Sequence, residues 1–118
     1  MYFRPRDFMK LGQMMLNGGT WHGRRVVSTS WTERASAPIR TLQNFHYGYL
    51  WWVIDYPYQG KTVRAYSASG NGGQFVIVVP DLDLVICFWA GNYSDPVRFV
   101  PQRQMVPNDI LPAVESAR

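Results

Sequence analysis

One cysteine, two histidines and two lysines are all that 118 residues offer of several side chains that commonly carry chemistry. A lone Cys87 excludes an intrachain disulfide. Its neighbours Val85, Ile86, Phe88 and Trp89 predict a core position, and no histidine stands beside it to activate a thiolate. His22 and His46 lie far apart in the chain and, with one cysteine, show no metal-ligand spacing. They are expected as surface or turn residues. No run is apolar for long enough to span a bilayer, and Met1-Tyr-Phe-Arg-Pro-Arg-Asp does not read as a signal peptide, so localisation stays open. The formal charge of +4 arises from arginines scattered singly and in one pair, Arg24-Arg25, which predicts a solvated surface and no nucleic-acid partner.

Apolar and aromatic material is abundant. Hydrophobic residues make up 47% and aromatics 15% of the chain, a composition of globular proteins and not of disordered ones. The length allows one domain or part of one. Five Trp, seven Tyr and six Phe need a large surface in which to be buried. Either the core is aromatic or some of these rings meet another chain segment; Trp51-Trp52 reads as core and not as a carbohydrate platform.

Pro5 at a first helical position, Asp7 in the first turn and Gly18-Gly19 at the far end predict an N-terminal helix, with Phe8, Leu11 and Met15 on its packing face. A turn is expected at His22-Gly23, followed by a short extended piece ending at Val26-Val27. Ser30 and Glu33 fit a capping box for a second short helix that ends before Pro38. Residues 37–46 read as a loop. Extended runs follow at Tyr47–Ile54, Thr62–Ser67, Gln74–Val79 and Leu84–Ala90, separated by Tyr56–Gly60, a glycine-rich corner and Pro80–Asp83. Connections this short leave no room for crossover helices, so the strands should form an antiparallel meander. Phe75–Val79 and Leu84–Trp89 are nearly continuous in apolar residues, which predicts burial on both faces, with a C-terminal helix from near Asn108 or Asp109 as second cover. The fold class expected is α+β.

The corner Ser69-Gly70-Asn71-Gly72-Gly73 is the most informative stretch. Its glycines permit unusual torsions and close approach of a second backbone or a ligand, so the corner is either a tight turn or the rim of a site. A phosphate cradle fits poorly, because the corner leads into a strand and not a helix. No serine of the chain has an adjacent base.

The segments RPRDFMKLGQMMLNGGTWHGRRVVSTSW, YGYLWW and ASGNGGQFVIVVPDLDLVICFWAGNY, taken in order, resemble the C-terminal third of the serine β-lactamase-like hydrolases, which include class C β-lactamases, DD-peptidases and related esterases. The resemblance implies a five-stranded antiparallel sheet with terminal helices packed on it, a separate helical region, and an active site between them. It also implies three motifs. Ser-x-x-Lys is absent, since neither Lys10 nor Lys61 follows a serine by three positions, and Tyr-x-Asn is absent as well. The third motif, a cationic residue or histidine, a small residue and glycine, falls on Ala68-Ser69-Gly70.

A methyl group at Ala68 can neither bind a carboxylate nor relay a proton. Gly70 keeps the close backbone approach, and the resemblance makes the backbone N–H of Asn71 an oxyanion donor. Ala68, Ser69, Gly70 and Asn71 are therefore the expected substrate-binding residues, with no catalytic residue and no cofactor. The expectation is a single partial domain over residues 1–118, inactive alone. Its partners would be the N-terminal remainder of a hydrolase or a second copy, and its substrate a small acyl compound. The alternatives are a non-catalytic binding or oligomerisation module derived from that fold, or a small enzyme with an unrecognised centre.

Overall fold

The computed structural model describes residues 2–43 and 45–117. Helix α1 spans Pro5–Leu16, with Pro5 in its first turn as the sequence requires, and the chain leaves it through Gly18 and Gly19, both at positive φ. A hairpin of β1 (Thr20–Trp21) and β2 (Arg24–Arg25) turns through His22 (φ 48°) and Gly23 (φ 73°), the paired left-handed geometry that matches strand twist. Helix α2 (Thr29–Ala35) is capped by Ser28, whose hydroxyl accepts from the Trp31 N–H at 3.1 Å. The capping residue is thus Ser28 and not Ser30; the Ser30 hydroxyl instead lies 3.2 Å from that of Ser28.

Six strands follow in one sheet: β3 (Arg40–Leu42), β4 (Phe45–Tyr47), β5 (Trp52–Tyr58), β6 (Lys61–Ser69), β7 (Phe75–Val79) and β8 (Leu84–Phe88). Their spatial order is their chain order, and every neighbouring pair is antiparallel. The chain is therefore α+β with an antiparallel meander between N- and C-terminal helices. Three sequence expectations are corrected. Where a loop is expected over 37–46, the β3–β4 hairpin covers residues 40–47, Asn44 lying outside the described residues. β5 runs through Tyr56-Pro57-Tyr58, and its turn is the residue pair Gln59 (φ 50°) and Gly60 (φ 69°). Helical structure in the C-terminal part begins well before Asn108: a short turn at Pro96–Phe99 leads to a π-type helix at Pro101–Ile110, continued by α3 (Leu111–Ala117).

Strand β7 is buried along its whole length, and its alternation divides the core. Phe75, Ile77 and Val79 join Val63, Ala65, Val106 and Leu111 beneath the C-terminal helices. Val78 joins Met15, Ala35, Trp51 and Tyr66 on the face under α1. A Cβ on Gly12 would lie 2.6 Å from Val76 Cγ1 and 2.9 Å from Val85 Cγ1, so α1 rests on the sheet at its glycine. This shifts the packing ridge to Phe8, Gly12 and Met15, an i, i+4, i+7 line, and leaves Leu11 exposed. β8 is only partly buried, and Cys87 is half-buried, with its Sγ 3.7 Å from the Pro5 carbonyl and its thiol pKa raised by burial. Burial likewise pushes the Tyr66 hydroxyl up to about 12. Among the described residues no helix is long and apolar enough to cross a membrane, and no buried side-chain nitrogen or oxygen lacks a hydrogen-bond partner.

Candidate functional site

The glycine-rich corner joins β6 to β7, where Ser69 pairs with Phe75. Strand alternation sends the side chains of Ser67 and Ser69 to the face under the C-terminal helices and those of Tyr66 and Ala68 to the face under α1. Ser67 is fully buried, with its hydroxyl 3.3 Å from that of Ser69.

Gln74 organises the corner. Its backbone carbonyl accepts from Gly70 N–H at 2.7 Å, and its side-chain Oε1 accepts from Gly72 N–H at 3.0 Å. Its Nε2 donates to the Ala90 carbonyl, which ties the corner to the segment after β8. That segment also donates from Asn92 N–H to the Gly72 carbonyl at 2.8 Å. The glycines are needed because of this cover. A Cβ on Gly72 would lie 2.9 Å from the Tyr93 ring, and Gly73, at φ +90°, stands where a Cβ would be 3.2 Å from the Arg98 carbonyl. The corner is thus a braced loop under a second chain segment, and not a free hairpin turn.

Within it the N–H groups of Gly70, Gly72 and Gly73 are all engaged, the last with the Gly70 carbonyl at 3.4 Å. Asn71 is exposed, and among the described residues its N–H has no acceptor. Ser69, Gly70 and Asn71 line one part of an open groove of about 1000 Å³. Ala68 lies on the other face of the sheet, packed against the cluster of Met15, Trp51 and Tyr66. Three of the four expected site residues therefore share the groove.

The groove floor is Trp52, Tyr56 and Phe75, and its other wall is Phe99, Gln102 and Arg103. Tyr56 donates its hydroxyl to the Gln102 carbonyl at 2.9 Å, which fixes the helical wall to the sheet, and burial raises its pKa well above the ordinary tyrosine value. His46 and Asp55 also border the groove. The His46 Nδ1 lies 3.1 Å from the Thr41 hydroxyl, so the ring sits in a polar contact of the β3–β4 hairpin. Among the described residues no cluster of His, Cys, Asp or Glu could hold a metal ion. Arg98, Phe99 and Arg103 carry no sequence signal of their own, since they lie on the C-terminal helical segment and reach the groove only through the fold.

Asp55 is held by Arg64, whose guanidinium donates to both carboxylate oxygens at 2.9 and 3.2 Å, and this hydrogen bonding lowers the carboxyl pKa. Because the folded pKa is depressed, the pair's stabilisation is present above the unfolded value of about 3.9 and is lost as pH falls through the lower folded value. Both side chains are half-exposed, so the contribution is small. Asp55→Asn is expected to cost less than about 1 kcal/mol in urea unfolding at neutral pH. The difference should vanish below the folded pKa; an undiminished difference there would show that the effect is not the ion pair.

Compared with known proteins, the chain matches no family model and no curated protein at a significant level.

Proposed function

We propose that this chain is the C-terminal part of a β-lactamase-related serine hydrolase, where it forms one wall of an acyl-transfer cleft and supplies an oxyanion donor from Asn71. The observation that carries the reading is the Asn71 N–H, without an acceptor among the described residues, at the rim of an open groove and in a corner where the N–H groups of Gly70, Gly72 and Gly73 are committed to bracing. Preorganised backbone donors of this kind stabilise the oxyanion that develops when a carbonyl is attacked. The motif resemblance of Ala68-Ser69-Gly70 and the antiparallel sheet that holds it support the same assignment.

The reaction would be acyl transfer to a serine outside this chain, on an ester, amide or lactam, followed by hydrolysis. Neither serine at the end of β6 can serve. Ser67 is buried, and Ser69, its hydroxyl partner, has no base within hydrogen-bond reach among the described residues. The test is treatment of the purified 118-residue chain with a fluorophosphonate label, alongside a chromogenic ester and a chromogenic cephalosporin. We expect no labelled serine and no turnover. A labelled serine with turnover would refute the reading and identify a nucleophile within the chain.

A further inference from the structure

Two arginines border the groove, Arg98 beside the corner and Arg103 on the helical wall, and neither has an ion-paired partner among the described residues. Arg98 and Arg103 both stack on the Phe99 ring, their guanidinium carbons 4.6 and 4.4 Å from its centroid, and Arg103 also lies 5.8 Å from the centroid of Phe45. Arg98 donates to the Asp95 carbonyl at 3.3 Å. Arg103 has no hydrogen-bonded or ion-paired partner among the described residues. Among the described residues the one carboxylate bordering the groove, Asp55, is taken by Arg64. An anion beside Arg103 would supply the partner it lacks.

Contact with the Phe99 ring holds the Arg103 guanidinium in place without using up its donors, which leaves them available for an oxyanion. Trp52 and Phe99 supply apolar walls beside these charges, and Trp52 and Phe45 meet edge to face at 6.2 Å. A fully apolar ligand would leave the guanidiniums without a partner. An inorganic anion would leave the aromatic walls wet. The site matches a molecule that has both parts.

We propose that this groove binds a small aromatic oxyanion, its ring against Trp52 and Phe99 and its negative group held by Arg103. All of these residues belong to this chain, so the binding does not depend on the acyl-transfer reading of the Asn71 corner. The chemistry fits a carboxylate or a phosphate monoester equally, since a guanidinium fork meets either with paired hydrogen bonds.

The test is isothermal titration of the purified chain with 2-naphthoate, 2-naphthyl phosphate, the uncharged 2-naphthylmethanol and, as an anion without a ring, acetate. We expect the two aryl anions to bind at least tenfold more tightly than the alcohol or acetate, and the tighter of the two identifies the oxyanion class. Arg103→Gln should weaken aryl anion binding about tenfold or more, since charge-assisted hydrogen bonds dominate the recognition. Phe99→Leu should weaken it as well, through loss of the ring that holds the Arg103 guanidinium. Arg24→Gln, a change in the β1–β2 hairpin away from the groove, should leave affinity unchanged. Far-ultraviolet circular dichroism of each variant separates lost binding from lost folding. Equal affinity for the alcohol and the anions, an Arg103→Gln variant that binds as the parent does, or no binding of any aryl anion up to its solubility limit would each overturn the proposal.

Discussion

Gly48→Ala is expected to remove more than about 4 kcal/mol of stability, a loss reserved for substitutions that force buried backbone apart. Gly48 lies just after β4, where the chain passes under the C-terminal end of α2. Its N–H donates to the Trp51 carbonyl at 2.8 Å, and the next residue, Tyr49, donates to the Ala35 carbonyl at 3.0 Å. A Cβ here would collide with the Ala35 carbonyl oxygen and lie 2.8 Å from that of Ala37. Those atoms are backbone at a helix end, so no rotamer change can relieve the contact. The helix must move, which breaks the Tyr49–Ala35 hydrogen bond and lifts Ala35, 1% exposed, from its packing with Trp51 and Tyr66. A domain of this size is stable by only about 5–15 kcal/mol, so a large part of that margin would go. Gly60→Ala is the comparison. Gly60 has φ +69° but no atom within 4 Å of a built Cβ, so only the left-handed backbone penalty of about 1–2 kcal/mol applies. Denaturant unfolding of both variants checks the argument, which fails if Gly48→Ala loses no more than Gly60→Ala.

Gly48 carries no sequence signal, and the reason applies to much of what the sequence did not disclose. Pro5, Gly18-Gly19 and His22-Gly23 act through local torsions, and the structure has a helix start, a helix exit and a turn at those positions. The apolar runs of β7 and β8 and the short links between strands likewise lead to the antiparallel meander. Elements that depend on a neighbour were not readable. All three residues of β3 are exposed, and β3 exists because it pairs with β4, which pairs with β5. Gly12 looks like a flaw in α1 until Val76 and Val85 are placed against it. Ser30 satisfies the letters of a capping box, yet the helix starts two residues earlier because Ser28 reaches the Trp31 N–H.

The candidate site divides along the same line. Ser69, Gly70 and Asn71 were visible because glycine spacing and strand boundaries are local features. Alternation in β6 then separates Ala68 from them, a consequence of strand register that becomes explicit once both faces of the sheet are covered. Gln74, which braces the corner, looks in the sequence like an ordinary polar residue at a strand start. Its role arises from Ala90, 16 residues later. Arg98, Phe99 and Arg103 belong to a segment whose several prolines predict interruption, whereas the structure carries helical geometry across them.

Under the acyl-transfer proposal, Asn71→Pro is expected to lower kcat by about 10²–10³ in the protein in which this chain would meet an attacking serine, which is the effect of removing one oxyanion donor. The substitution is selective because of how the corner is built. Proline lacks only the N–H, and Asn71 is the corner residue whose N–H has no acceptor among the described residues, so no bracing hydrogen bond is lost. Asn71 does not occupy the left-handed region, and the residue before it is glycine, which tolerates the restriction that proline imposes on its predecessor. Stability should therefore change by less than about 1 kcal/mol, in contrast to Gly72→Pro, which would also remove the donor to Gln74. Asn71→Ala keeps the backbone N–H and should retain turnover within a few-fold. Steady-state kinetics on an activated ester, with thermal melting of each variant, distinguishes the cases. Wild-type turnover in the proline variant would remove Asn71 from the oxyanion role. An equal loss in the alanine variant would move that role from the backbone to the asparagine side chain. The expected pattern, a large fall in kcat for proline alone with KM nearly unchanged, is what a donor engaged only as negative charge develops must give.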